Sequence, residues 1–230
     1  MIKVCKSMEV NLMAGDSSIY SNTWEKFFEN AAQRTYDKKS IIVNEGDPID
    51  RVYYVKSGRV IFSIITPDGG EKIMYALHKG GIFGDVWAQS KRPYFVTATT
   101  FTKTTLAWLP PDIFLNLVMS RPDAMQEWLC YISEIVEYLI EHITDITYLN
   151  REVLLRKYLY RLSFNYGVST SDGIKLNTKI THQFLADLIG CSRVTISKIM
   201  LKLTEEKLIA RKGGFFYILD LERLGGTHPG

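Results

Sequence analysis

The most regular alternation of apolar and polar positions lies between residues 122 and 149. After Arg121-Pro122-Asp123, apolar side chains recur at Met125, Leu129, Ile132, Val136, Leu139, Ile143 and Ile146, in alternating steps of four and three. A repeat of about 3.5 residues keeps one seam of a helix facing a partner, so the segment predicts a long dimerisation helix. Glu127, Glu134 and Glu141 recur every seven residues beside the seam, and Trp128 and Ile135 form a second apolar strip offset from it. Two strips let one helix pack on its own domain and on a partner helix. A plain core helix with one wide apolar face is the alternative.

Upstream the periodicity changes. Residues 22–35 have helical spacing, with Trp24, Phe27, Phe28 and Ala31 on one side. From residue 40 the chain becomes a series of short β-prone runs, punctuated by Glu45-Gly46-Asp47-Pro48, Lys56-Ser57-Gly58, Pro67-Asp68-Gly69-Gly70 and Lys79-Gly80-Gly81. Turn signals at such intervals predict a roll or barrel of hairpins. Asp68-Gly69, between runs 60–66 and 72–77, is the strongest of them, because glycine tolerates the positive φ that hairpin turns need. Residues 94–110 add Thr- and aromatic-rich strands, and Pro110-Pro111 closes the β section.

Downstream, Asn150 can cap a new helix over 153–162, which makes residues 147–150 a predicted hinge. Residues 165–173 read as a polar loop. Thr181 then caps a helix that buries Phe184, Leu185 and Leu188; Gly190 suits the left-handed backbone at its end, and Ser192 caps a second helix from 193 to 206. Helix, short glycine turn and helix form the helix-turn-helix pattern. With Ile196, Ile199, Met200 and Leu203 inward, Ser192, Arg193, Val194, Thr195, Ser197 and Lys198 occupy the end of the second helix that enters a major groove. Arg193 can bond guanine bidentately, whereas Val194 can only touch a thymine methyl, so an AT-rich half-site is expected. Lys198 and Lys202 can reach bases or phosphates. Arg211 and Lys212, followed by Gly213-Gly214, read as the tip of a basic wing.

Charge agrees with this division. The net charge of +3 is uneven: residues 1–149 hold 15 basic against 18 acidic side chains, and residues 150–230 hold 13 against 7. A basic last third attracts polyanions, of which nucleic acid is the commonest, although a solvated basic face is the plain alternative. No apolar run is long enough for a membrane span, and the first residues lack the apolar core of a signal peptide. Cys5, Cys130 and Cys191 make no disulfide framework, so a cytoplasmic location is expected.

The segment GCSRVTISKI, the glycine-punctuated runs EGDPIDRVYYVKSGRV, PDGGEK and GGIFGD, and the heptad helix together resemble the CRP/FNR superfamily of transcription regulators, from about residue 22 to about residue 224. The resemblance implies an α+β fold. It comprises an N-terminal cyclic-nucleotide-binding-like β-roll over residues 1–121, a dimerisation helix and hinge over 122–149, and a C-terminal winged helix-turn-helix over 150–230. It also implies a homodimer on a palindromic operator in double-stranded DNA, RNA polymerase as a partner, and a small-molecule effector in the roll that repositions the recognition helices.

Members of this superfamily that bind cyclic nucleotides hold ribose and phosphate with Gly-Glu and Arg-Ser pairs. Gly84-Asp85 and Arg92-Pro93 stand nearest those places here, with a shorter loop between them. Proline offers neither hydroxyl nor N–H to a phosphate. Leu139 and Ile140 stand where helix hydroxyls contact the base in such members. Cyclic AMP is therefore not expected as effector. Three scattered cysteines do not supply the four ligands of an iron–sulfur cluster. Haem is not expected either: His78 is the histidine nearest a pocket mouth, and His142, His182 and His228 carry no motif.

What remains is a site of Phe83, Gly84, Asp85, Val86, Trp87, Arg92, Tyr94 and Phe95 from the roll, with Leu139 and Ile143 from the helix, suited to a lipophilic or aromatic effector. The same features are similar to the halophenol-responsive regulators of organohalide respiration. Alternatively these residues are core and Arg92 a surface arginine, and the regulator is effector-independent, or controlled by haem or by redox chemistry at Cys5. A jelly-roll enzyme would need clustered histidine and carboxylate ligands, which four isolated histidines do not provide.

Overall fold

The computed structural model describes residues 22–86 and 92–225, which form two compact units. Of these, the first comprises residues 22–65, 74–86 and 92–138; the second comprises residues 66–73 and 139–225.

The first unit opens with helix α1 (Asn22–Phe27). It is shorter than the helix predicted over 22–35, because Ala32–Tyr36 is strand β1, paired antiparallel with β8 (Thr104–Leu109). Cross-strand pairing, including a Thr35–Thr105 hydroxyl contact of 2.9 Å, outweighs the local helical spacing. Strands β2 (Ile41–Val43), β3 (Val52–Ser57), β4 (Arg59–Ile65), β5 (Glu71–His78), β6 (Ile82–Phe83) and β7 (Thr97–Thr100) complete two four-stranded sheets, ordered β1-β8-β3-β6 and β2-β7-β4-β5. The predicted hairpin at Asp68-Gly69 joins β4 to β5, with Gly69 at φ +80° and Thr66 N donating to Gly70 O at 2.8 Å. Only Gly58 separates β3 from β4; at φ +87° a Cβ there would stand 2.4 Å from the Lys103 carbonyl. After Pro110 a helix not foreseen in the sequence, α2 (Pro111–Met119), begins with Pro111 where its missing N–H costs nothing. Its Phe114 and Val118 join Trp24, Phe28, Tyr54 and Ile82 in the core.

Helix α3 (Pro122–Tyr148) spans the predicted heptad segment. Ala124, Tyr131 and Tyr138, seven apart, are its buried line; Tyr131 donates to Ile82 O at 2.6 Å and Tyr138 to Met74 O at 3.1 Å. The boundary between the two compact units falls inside this helix, between Tyr138 and Leu139.

The second unit contains the end of α3, a break at Leu149-Asn150, and α4 (Arg151–Tyr166). Asn150 Oδ1 accepts from Glu152 N and Val153 N, both at 3.0 Å, as an N-cap should. The break is braced on both sides. Lys157 Nζ reaches Glu141 at 2.7 Å and Asp145 at 2.7 Å, Arg161 pairs with Glu141, and Tyr158 bonds His142 at 2.9 Å. Where a loop was predicted over 165–173, α4 runs on to Tyr166, and a hairpin follows: β9 (Gly167–Thr170) and β10 (Gly173–Leu176). This polar segment becomes strand because β10 is paired on its other side by β12 (Phe215–Ile218). Helices α5 (His182–Ile189) and α6 (Arg193–Glu205), strand β11 (Ile209–Lys212) and helix α7 (Leu221–Gly225) complete the unit, whose sheet order is β11-β12-β10-β9.

Candidate nucleic-acid interface and effector domain

The helix-turn-helix is held by its caps. Thr181 Oγ1 accepts from Phe184 N at 3.1 Å. Gly190 ends α5 at φ +77°, its N–H bonded to Ala186 O at 2.8 Å, and the Cys191 N–H shares that carbonyl at 3.1 Å. Ser192 Oγ accepts from Thr195 N at 3.0 Å and starts α6. Ile196, Met200 and Leu203 are buried and Ile199 half-buried, which leaves Arg193, Val194 and Lys198 exposed on the opposite side of the helix start. One short helix thus carries an apolar face that fastens it and a polar, cationic face turned to solvent.

Several residues predicted to meet DNA have structural work. Ser192 and Thr195 bond each other at 2.9 Å in the cap. Ser197 Oγ donates to Arg193 O at 3.0 Å and lies 2.8 Å from His182 Nδ1. Lys202 is engaged as well. Its ammonium pairs with Glu152 at 2.7 Å and stands 3.8 Å from Glu206, and the carboxylate of Glu152 is held below the usual range, first by this lysine. Arg156 bonds the same two glutamates at 3.0 and 2.7 Å, so the cluster ties α6 to α4.

The wing is a tight hairpin. Lys212 pairs with Phe215 across Gly213-Gly214, whose φ values of +58° and +82° fit a two-residue type I′ turn. Arg211 lies over the Phe216 ring at 5.4 Å, and Lys212 is paired with Asp172 at 2.8 Å. Lys175, over Phe215 at 4.1 Å, adds a cation that the sequence pattern did not single out. His182 was also missed as a member of this surface. Its ring stacks on Phe216, with centroids 6.0 Å apart and planes 13° apart, a cross-element contact without a sequence signal.

In the first unit, the structure brings Phe83, Gly84, Asp85 and Tyr94 into a buried aromatic interior. Tyr53 stacks on Phe83 at 4.7 Å, Phe62 stacks on Tyr75 at 4.4 Å, and Phe62 meets the Phe83 edge at 5.2 Å. Gly84 sits at φ +88°, and a Cβ there would stand 2.5 Å from Arg51 O and 2.6 Å from the Tyr94 hydroxyl. Asp85 is buried and accepts from Trp128 Nε1 at 2.7 Å; burial pushes its carboxyl above the usual carboxylate range. Trp128, expected only as an apolar strip, is thus also the polar partner of Asp85. Val86, Arg92 and Phe95, by contrast, are exposed. Trp87 and Cys5 lie outside the described residues. Leu139 is half-buried and Ile143 exposed, both in the second unit.

The heptad seam divides. Met125 and Ile132 pack partly against the core of the roll, while Leu129, Val136, Ile143 and Ile146 are 57%, 48%, 59% and 39% exposed. Ile140 beside them is 61% exposed. Cys130 and Cys191 are half-buried free thiols, and His78 ends β5 with Nδ1 2.9 Å from Lys79 O. Among the described residues no group of three His, Cys, Asp or Glu is placed to hold a metal ion, and no helix is long and apolar enough to cross a membrane.

A β-roll followed by a long helix and a winged helix-turn-helix defines a regulator with an effector-binding domain and a DNA-binding domain. Residues 33–121 match the cyclic nucleotide-binding domain and residues 153–226 the Crp-like helix-turn-helix domain, so the chain belongs to the CRP/FNR family of DNA-binding transcriptional regulators. It is 24% identical over 180 residues to the CRP-like cAMP-activated global transcriptional regulator of Mycobacterium tuberculosis, covering 78% of this chain and 80% of that protein. It is 27% identical over 177 residues to the global nitrogen regulator of Synechococcus elongatus, covering 76% and 80%. The fold is similar to that of the c-di-GMP responsive global regulator CLP of Xanthomonas campestris, with a TM-score of 0.77 at 22% identity over 86% of this chain and 99% of that one. These relatives are transcriptional regulators rather than enzymes.

Proposed function

We propose that the chain acts in the cytoplasm as a homodimeric, ligand-responsive regulator that places one recognition helix in each half of a palindromic operator and acts there on RNA polymerase. The observation that carries the dimer is the division of α3. One line of the helix, through Ala124, Tyr131 and Tyr138, is spent on the roll, while the heptad line through Leu129, Val136, Ile143 and Ile146 is left in water. Isolated apolar side chains on a surface are ordinary; a heptad row of them is the signature of a paired helix. Base readout is assigned to Arg193, Val194 and Lys198, with Arg211 near the wing as a backbone contact. Lys202 is left out because its charge is already paired.

The effector is assigned to the roll and is a small lipophilic or aromatic molecule. Packed rings of Tyr53, Phe62, Tyr75 and Phe83, together with the buried Tyr94, favour a flat apolar ligand over a nucleotide, whose phosphate would need donors where Pro93 stands. The related proteins carry different effectors in their names, cAMP in one and c-di-GMP in another, so this scaffold does not dictate the ligand. The Asp85–Trp128 bond is the natural reporter: a ligand that reorders the Asp85 segment acts directly on α3. Because the break at Leu149-Asn150 is braced by Lys157, Arg161 and Tyr158, we place the joint that moves near Tyr138-Leu139, where the compact units divide.

The test is selection of binding sites from random duplex DNA, followed by calorimetry with phenols, aromatic acids and cyclic AMP in the presence and absence of the selected site. A palindromic AT-rich consensus, and a phenolic or aromatic ligand whose affinity changes with DNA, would support the reading; linkage requires the same factor in both directions. Tight cyclic AMP binding would overturn the effector assignment.

A further inference from the structure

His182 stands at the first residue of α5, directly after the Thr181 cap, and two arginines face it from other elements: Arg193 on α6 and Arg211 on β11. Its ring is fixed on two sides. Phe216 stacks beneath it at 6.0 Å, and Nδ1 lies 2.8 Å from Ser197 Oγ. Ser197 Oγ lies within hydrogen-bonding distance of two groups, Arg193 O at 3.0 Å and His182 Nδ1 at 2.8 Å, and has one hydrogen to give. With that hydrogen on the Arg193 carbonyl, the serine oxygen accepts from Nδ1–H, and Nε2 is the atom that takes up a second proton.

We propose that His182 is a proton-linked DNA-affinity residue, taking up a proton at Nε2 when a DNA phosphate settles among His182, Arg193 and Arg211. The proposal rests on the assignment of this face to DNA. In the free protein, charging the ring is opposed by partial burial, by Arg211 and by Arg193, which together hold its pKa below 6.5. The positive end of α5 acts in the same direction. A phosphate reverses each electrostatic contribution: it neutralises the field of both arginines, suits the helix N-terminus, and offers Nε2–H an anionic acceptor. The pKa of His182 is then higher in the complex than in the free protein. By linkage, DNA binding takes up protons, and affinity rises as pH falls between the two values, with a limit of roughly tenfold per pH unit for each chain.

The histidine also ties two parts of the reading head. Through Ser197 and the Arg193 carbonyl it touches the first turn of the recognition helix, and through Phe216 it touches the wing. A charge gained there adds a donor without new backbone movement, because the ring is already seated.

The experiment uses the full chain, a duplex carrying the selected site, and a random-sequence duplex of equal length. Fluorescence anisotropy from about pH 5 to about pH 8 should show tighter binding on the acid side for the wild-type protein on both duplexes, since the contact is to phosphate. His182→Gln should flatten that dependence and bind as the wild type does at the alkaline end. His182→Arg, with a permanent charge, should also be flat but bind as the wild type does at the acid end. The ring resonance of His182 should titrate at a higher pH in the complex than in the free protein. Equal pH slopes for wild type and His182→Gln, or the same midpoint for His182 with and without DNA, would overturn the proposal. Failure of the wild type to bind any duplex would instead overturn the DNA-facing assignment itself.

Discussion

Replacing Val136 with aspartate isolates the dimer seam from the fold of the single chain. Fully burying a Val, Leu or Ile side chain contributes about 1.5–3 kcal/mol. Leu129, Val136, Ile143 and Ile146 keep 57%, 48%, 59% and 39% of their surface in water, so roughly half of that value is still to be gained by pairing. This amounts to on the order of 1 kcal/mol per side chain, and roughly 8 kcal/mol over four side chains on two helices before the cost of association. Val136→Asp forfeits about 1 kcal/mol from each chain and places two carboxylates near a two-fold axis without partners, for which about 3–5 kcal/mol is a reasonable cost. The sum, about 5–7 kcal/mol, weakens the dimer by roughly several thousandfold to a hundred-thousandfold.

The single chain should barely notice, because Val136 is already half in water. Sedimentation equilibrium should show a monomer at micromolar concentration, while urea unfolding of that monomer stays within about 0.5 kcal/mol of the wild-type chain under dissociating conditions. Ile135→Asp is the control: Ile135 packs against the core of the roll, so its replacement should unfold the first unit rather than separate two intact chains. If the Val136→Asp protein remains as tightly dimeric as wild type, or unfolds like the Ile135 variant, the division of α3 into a roll face and a partner face is wrong.

Three further outcomes follow from particular contacts. Arg193→Ala should cost about 1–3 kcal/mol at the selected DNA site and relax one base position, whereas Lys202→Ala should leave specific affinity within about twofold, both read by fluorescence anisotropy. Gly84→Ala should lose more than about 2 kcal/mol in urea unfolding, because its Cβ would meet the Arg51 carbonyl at 2.5 Å in addition to the left-handed strain; Gly213→Ala, with open space around it, should lose only about 1–2. His142 is buried beside Tyr158, and its pKa is lowered from 6.5 to about 4, by burial first and then by Lys72. A depressed histidine is neutral in the fold and charges more readily when unfolded, so its contribution is present above about pH 6.5 and is lost as pH falls through about 4. His142→Gln, which cannot charge, should lose less stability than wild type between those two values, measured by thermal unfolding across the range.

The sequence by itself determined most of the features that depend on neighbours along the chain, although not helix α2 after Pro110. The heptad steps marked α3 over its full length, and the glycines at 58, 69, 190 and 213–214 marked turns whose positive φ no other residue adopts cheaply. Asn150, Thr181 and Ser192 marked helix starts, because a cap is a bond to an N–H two or three residues away. The helix-turn-helix is made almost wholly of such local signals, which is why it could be read before any contact was known. Contacts between distant residues were decided only by the tertiary structure. Residues 32–36 and 173–176 are strands because partners far along the chain offer hydrogen bonds, and nothing in their own pattern says so. Lys202 meets Glu152, fifty positions away, a pairing that the helix pattern does not announce. Asp85 and Trp128, His182 and Phe216, and Lys157 and Glu141 meet for the same reason. Charge pairing, burial and ring stacking act through space over a few ångströms, so the sequence can supply the groups while only the fold sets which of them meet.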